Sequence, residues 1–517
     1  MAEINNEYTP LISPPGPSNI AQSGSDNGVG GTSLSSSNNP LSSVKRLYVM
    51  VFCLSLVILQ TTGLTLADTP LTEIQERIIC QQIHGLPLQA GGANPCKDND
   101  VQGELSTILG WKITLSLIPS LLMAVPYGAG IDRFGRRPFL GLCFVGLSLS
   151  AGWDAVVCAF PSAFPLRFIW LDCLFLFIGG GTTVLSAVLY TIVSDISTES
   201  QRSTTFFYLG SAVMGGALVA NPITYLAMQK GLWFSVFTGL ICLAATTLLA
   251  FCIPQTLCER SSIAIPEPEA PSDRQHDQKG YTLRRLVCHI QAGLSQTSRT
   301  AQWMFLEQRL VGLLLFSIML EVLGRDVVIV TMQYVTKRLE ISWAEAGLVD
   351  SVGSLFQLGV LLFLLPLVSQ LLLLRLGLSA RSKDLRLAQV SAVLTALGIT
   401  IVGLASKLSL LITGLAVASL GTGYTFLLRG LMTSLVAGHD TGLLYTSIAI
   451  VETAVVLLAG PLYSGLFRIG LSWGDDWVGF PFMVAGCILI LAAALVGAVR
   501  LSDTAEEPAS GTEDLSP

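Results

Sequence analysis

The sequence predicts an all-α membrane protein, with twelve transmembrane helices in two six-helix bundles. Three observations carry that class. Only 12% of the 517 residues are charged while 51% are hydrophobic, and the mean hydropathy is +0.64. A soluble globular chain carries about 25% charged residues, so lipid must be the solvent for much of this one. Twelve apolar runs follow one another, most of them long enough to cross a bilayer core at about 1.5 Å per residue. A polar segment then divides those runs six and six.

Residues 1–44 are rich in Ser, Asn, Gly and Pro and poor in aromatics. Such a segment cannot bury enough surface to fold, so a disordered cytosolic tail is expected. No cleavable signal peptide is evident, because the first apolar run is too long and too far in. The runs of the first bundle (45–254) are 47–67, 108–127, 138–160, 168–193, 204–227 and 232–253. A cytosolic linker spans 255–308. The runs of the second bundle (309–501) are 310–331, 346–367, 387–405, 408–436, 443–467 and 478–499, and an acidic tail covers 502–517. Lipid offers no partners to a backbone, so each run must satisfy its own groups as a helix. Pro119, the glycines at 179–181 and Gly460-Pro461 are tolerated inside such helices. Most of the 29 lysines and arginines fall on the side of the two termini, which places both termini in the cytosol.

Of the eleven cysteines, Cys80 and Cys96 alone fall in a long loop expected outside the cytosol, where a disulfide is redox-permitted. The others lie in or near apolar runs and pack as small hydrophobes. No basic stripe with interleaved aromatics appears, so nucleic acid is not an expected partner.

The most specific stretch is Gly128-Ala-Gly-Ile-Asp132-Arg133-Phe-Gly135-Arg136-Arg137, between the second and third runs. Its charges exclude it from hydrocarbon, and it reads as a ten-residue water-exposed turn. Gly128 and Gly135 permit tight turning, and Asp132 suits a cap or a partner for helix N-termini. The spacing Gly-x-x-x-Asp-Arg-x-Gly-Arg-Arg resembles the loop between helices two and three of the major facilitator superfamily. A degraded copy (Arg375-Leu-Gly377, Arg381, Lys383, Asp384) recurs at the corresponding place in the second half.

The resemblance covers about 45–501 and implies a cytosolic latch at this loop, its arginines gripping the other half. It also implies a binding site near the midplane, between the bundles. Trp111, the stretches at 101–105 and 195–207, and Gln333-Tyr-Val-Thr-Lys-Arg338 narrow the likeness to fungal exporters of drugs and secondary metabolites. The Gly-Pro pair usual in helix five of drug antiporters is missing, since Pro222 follows Asn221. Pro254-Gln255-Thr256 departs from the Pro-Glu-Thr of sugar porters.

Ionisable residues inside runs are expensive in lipid, at about 2.5–3.5 kcal/mol on insertion scales, and point to function. Glu321 and Arg325 share a helical face, and Asp326 follows; they read equally as a self-neutralising structural pair and as a substrate or proton site. Glu452 has no basic neighbour within a turn and reads as an unpaired proton carrier. Asp350, Ser354 and Gln357 form a polar stripe that suits bonding to a neighbouring helix ahead of a substrate role. Asp172 lies near a helix end within reach of Arg167, and Asp154 reads as solvated or snorkelling. Gln60 and Tyr424 are expected on the cavity wall by the family's pattern.

No phosphate loop or His-Glu-x-x-His site is present, so an enzyme is not expected and no cofactor is implied. The expectation is a monomeric secondary transporter for a small organic compound, a proton-coupled exporter working by alternating access. It would lie in the plasma membrane in preference to the vacuolar one. A nutrient importer and a non-transporting sensor on the same fold are the alternatives.

Overall fold

The computed structural model describes residues 43–85, 95–196, 202–252, 309–376, 379–436 and 441–499. The expected tails and the linker lie outside these residues, apart from the first and last turns of the bundles. The described part of the unit 43–517 is helical, with no strand among the described residues. The first half comprises α1 (Ser43–His84), α2 (Asn99–Phe134), α3 (Arg136–Ala159), α4 (Asp172–Gly179), α5 (Gly181–Ile196), α6 (Arg202–Lys230) and α7 (Leu232–Ala250). The second half comprises α8 (Arg309–Arg325), α9 (Thr331–Arg338), α10 (Trp343–Gly359), α11 (Leu365–Leu376), α12 (Ala380–Gly403), α13 (Leu408–Leu420), α14 (Tyr424–Leu435), α15 (Thr441–Trp473) and α16 (Phe480–Ala498).

Eleven helical segments among the described residues are long and apolar enough to cross a membrane. The seventh expected run is the exception. It stops as an α-helix at Arg325, passes through a 3-10 stretch at Asp326–Val330, and resumes as α9. Two further runs read as continuous are also broken. The fourth breaks between α4 and α5, where Gly180 and Gly181 both have left-handed φ (+73° and +70°). Glycine is the residue that adopts this conformation without a Cβ clash. The tenth breaks between α13 and α14 at Gly421, where a Cβ would lie 1.9 Å from Thr395 Oγ1.

Two other elements differ from expectation. The first helix continues through Pro70 to His84, well past the apolar run. The loop at 128–137 is not a ten-residue turn. Helix α2 runs to Phe134 and α3 starts at Arg136, so only Gly135, at φ +89°, leaves the helical conformation. Continuing the helix satisfies backbone groups that an open turn would leave to water.

Cys80 and Cys96 are joined as a disulfide, tying the end of α1 to the 3-10 turn before α2. That end of the bundle is called the disulfide end, and the end carrying Gly135 the loop end. Across the halves α2 packs along α15 and α6 along α10. A buried apolar cluster at the disulfide end, with Leu71, Ile78, Leu105 and Ile169, takes in Trp343 from the second half.

Candidate functional site

Two adjoining cavities lie in the interior. The larger, about 460 Å³, is walled by α1, α3, α5 and α6, with Gln60, Asp68, Phe144 and Tyr190 among its lining residues. The smaller, about 240 Å³, is walled mainly by the second half and holds Glu321, Arg325, Gln357 and Thr422. Asp350 and Met332 line both. Apolar walls with a few placed polar groups suit a small organic molecule.

Gln60 stands out among those polar groups. It is only 4% exposed, and neither its Nε2 nor its Oε1 has a hydrogen-bond partner. A buried amide without partners costs about 1–3 kcal/mol, and this one lies on the wall of the larger cavity. Asp350 accepts a hydrogen bond from Asn221 Nδ2 (3.0 Å) across the halves, and Ser354 and Gln357 join it on the wall of the smaller cavity. Glu321 is buried, accepts from Thr425 Oγ1 (2.9 Å) and faces Arg325 at 3.7 Å. Asp326 begins the 3-10 break, with Oδ2 unpartnered.

Four readings are corrected. Glu452 is not unpaired: it forms an ion pair with Arg429 of α14, a partner on another helix that spacing along one helix does not reveal. Tyr424 is fully buried in the core of the second half, its hydroxyl against Ser317, and is not on the cavity wall. Asp172 does not pair with Arg167, which instead reaches Glu104 (2.8 Å); Asp172 accepts from Ser150 Oγ (3.3 Å). Asp154 is neither solvated nor snorkelling. It is 1% exposed and bound to Lys112 Nζ at 2.5 Å.

The disulfide end is closed by a polar network absent from the sequence reading. Glu76 is 4% exposed and accepts from Lys97 Nζ (2.7 Å), from Gln102 Nε2 and, across the halves, from Trp343 Nε1 (2.7 Å). Gln333 Nε2 donates to the backbone oxygen of Gln102 (2.5 Å), and Lys337 Nζ to that of Lys97 (2.6 Å). The disulfide fixes the backbone that presents Lys97. Below this network Gly110 of α2 faces Gly460 of α15; a Cβ on Gly460 would lie 2.5 Å from Gly110 O. Glycine at both positions lets the two helices touch backbone to backbone.

At the loop end, Arg136 Nη1 donates to Thr191 O (2.6 Å), in its own half, and Arg137 is exposed. The side chains of Asp132 and Arg133 lie outside the described residues. Ser186 and Tyr190, on the loop-end part of α5, remain exposed. Among the described residues no cluster of three or more His, Cys, Asp or Glu is arranged to hold a metal.

The profile of the Major Facilitator Superfamily matches residues 94–308. The chain is 30% identical over 480 residues to the MFS efflux pump atnC of Emericella nidulans, covering 90% of this chain and 91% of that one. It is 26% identical over 438 residues to the efflux pump ustT of Aspergillus flavus, covering 83% and 84%. In fold it is similar to the nucleoside transporter NupG (TM-score 0.57, 13% identity, 87% of this chain and 98% of that one). It is also similar to the human organic anion transporter MFSD10 (TM-score 0.53, 17% identity, 88% and 99%).

Proposed function

The chain belongs to the major facilitator superfamily, and from that footing we propose that it is a proton-coupled exporter of a small, largely apolar secondary metabolite. The observation that carries the reading is the pair of cavities between the halves, with apolar walls and the unpartnered amide of Gln60. The efflux pumps to which the chain is similar along most of its length support the direction. The broken seventh run completes a set of twelve crossings, with both termini in the cytosol and the disulfide end outside. The conformation is then inward-facing, sealed outside by the Glu76 network. The cycle opens the two ends in turn, and the loop at Gly128–Arg137, with Asp132 and Arg133, latches the cytosolic end in the opposite state.

Glu321, Arg325 and Asp350 orient polar groups of the compound, and Gln60 hydrogen-bonds it. The plasma membrane is the proposed site of action. Untargeted profiling of cells and medium, with and without the gene, tests export. The compound is expected to fall in the medium and rise in the cells when the gene is removed. The reverse pattern would make the protein an importer, and no change in any compound would remove transport as its role. Once the compound is known, Gln60→Leu is expected to raise its KM about tenfold, the effect of one lost hydrogen bond of about 1.4 kcal/mol. An unchanged KM would take Gln60 out of the binding site.

A further inference from the structure

We propose that Lys112 and the carboxylates around it, Asp68, Asp154 and Asp172, form the proton-binding centre of this protein. The inference rests on the proton-coupled reading above, and it names the site that reading lacks. Four separate helices bring the groups together: α1 supplies Asp68, α2 Lys112, α3 Asp154 and α4 Asp172. Lys112 Nζ lies 2.5 Å from Asp154 Oδ2 and 3.9 Å from Asp68 Oδ1. Asp172 lies within electrostatic reach of Lys112 and of Asp154. Cys158 of α3 and Cys173 of α4 are the neighbouring thiols, and Gln75 of α1 faces Cys158.

Three carboxylates surround one ammonium group, inside the helical span. If all are ionised, the centre carries surplus negative charge in surroundings that solvate it poorly. Two positions for a proton are open. Asp154 Oδ1 and Asp172 Oδ1 are both buried and both lack a hydrogen-bond partner, and each residue is only 1% exposed. A structural ion pair in a closed core would have its remaining oxygens satisfied. Here the satisfied oxygens are Asp154 Oδ2, by Lys112, and Asp172 Oδ2, by Ser150.

Asp68 connects the centre to the transport path. Its side chain lines the larger cavity and is about half exposed there, while its Oδ1 faces Lys112. A proton arriving from the cavity binds a carboxylate oxygen and makes a neutral carboxylic acid; Lys112 remains an ammonium throughout. With Asp154 neutral, the pull of Asp68 on Lys112 gains relative weight, and the lysine moves toward the cavity wall. The charge presented to a bound compound then depends on whether the centre holds its proton. This gives Asp154 and Asp172 the carrier role, while Asp68 passes their state to the cavity.

Infrared difference spectroscopy on the purified full chain in detergent, stepped between acidic and neutral pH, reads the proton itself. Wild type is expected to show a protonated-carboxyl band that disappears as pH rises. Asp154→Asn and Asp172→Asn are each expected to lose part of that band, and the double variant more than either alone. Glu104→Gln, at an exposed ion pair, is expected to keep it. A wild-type band in the double variant overturns the proposal. If Asp154→Asn yields no folded protein, Asp172→Asn alone decides, because Asp172 makes no ion pair within salt-bridge distance among the described residues; an unchanged band there overturns the proposal equally. The export reading fails by a different result, namely cells whose compounds are indifferent to the gene, and the infrared band is read without any compound.

Discussion

Gly460→Val is expected to reduce export by about 10- to 100-fold while leaving the amount of protein in the membrane unchanged. The contact at issue is backbone against backbone. A Cβ at Gly460 would sit 2.5 Å from Gly110 O and 2.7 Å from Thr114 Oγ1, and a Cβ at Gly110 would sit 2.4 Å from Ser464 Oγ. Valine adds two further methyl groups. No side-chain rotation relieves a clash with a carbonyl oxygen, so α2 and α15 must separate. Separation also stretches the bonds from Ser106 Oγ to Ser464 O (3.4 Å) and from Thr114 Oγ1 to Leu457 O (3.2 Å). Overpacking of this kind costs about 1–3 kcal/mol, a population shift of about 5- to 150-fold that brackets the expected loss. The penalty falls on the state closed at the disulfide end and spares a state in which the helices part there. A cysteine introduced at Ser106, which is 1% exposed, reports the difference. A membrane-impermeant thiol reagent should label it in the Gly460→Val background and spare it otherwise. Full export together with a protected cysteine would show that the two glycines do not govern closure.

Glu76→Ala is expected to act on the same equilibrium by a different force. The carboxylate is the shared acceptor for Lys97, Gln102 and Trp343, and the Trp343 bond crosses the halves. Removing one partner of a buried charge pair costs about 3–5 kcal/mol. The lower end applies here, because Lys97 Nζ also lies over the Trp343 ring, 5.2 Å from its centroid, and keeps that contact. About 3 kcal/mol corresponds to a shift of about 150-fold toward the state open at this end. Export should fall and the cysteine at Ser106 should become reactive. Glu76→Gln keeps the shape and one acceptor and should fall between wild type and alanine. Wild-type export and labelling in Glu76→Ala would place the closing force elsewhere.

Hydropathy alone located most of the rods, because a run of apolar residues and a membrane-crossing helix answer to the same transfer energy. The break between the second and third helices was legible in place but not in length: the charged stretch 128–137 reads as a ten-residue turn, and the structure narrows it to Gly135. The breaks were not. Across 168–193 and 408–436 the residues stay apolar, so nothing in their hydropathy separates one rod from two. The cause at Gly180 and Gly421 is close approach by a neighbouring helix or a φ that only the folded chain reveals. The end of α1 was missed for the opposite reason. Pro70 and the polar residues after it read as loop, although a proline is tolerated where packing compensates.

The candidate site was legible by residue type and not by pairing. Glu321 with Arg325 was found because both sit on one helix, four residues apart. Glu452 with Arg429 was not, since its partner stands on another helix. Lys112 was overlooked inside an apolar run, with its three carboxylates dispersed over helices α1, α3 and α4. A usable signal existed: Asp68, Lys112, Asp154 and Asp172 all fall toward the disulfide end of their segments, at similar depth in an antiparallel arrangement.

Helix α1 holds 42 residues, about 63 Å of rise against a hydrocarbon layer of about 30 Å. Its last turns, with Glu76 and the cystine bridge, therefore reach past the lipid while staying packed within the disulfide end of the bundle. In the proposed orientation, an antibody or cyclic peptide that binds the exposed residues around His84 would reach the proposed transporter without crossing the bilayer. Resistance to such an agent would arise at that rim and leave the two cavities untouched.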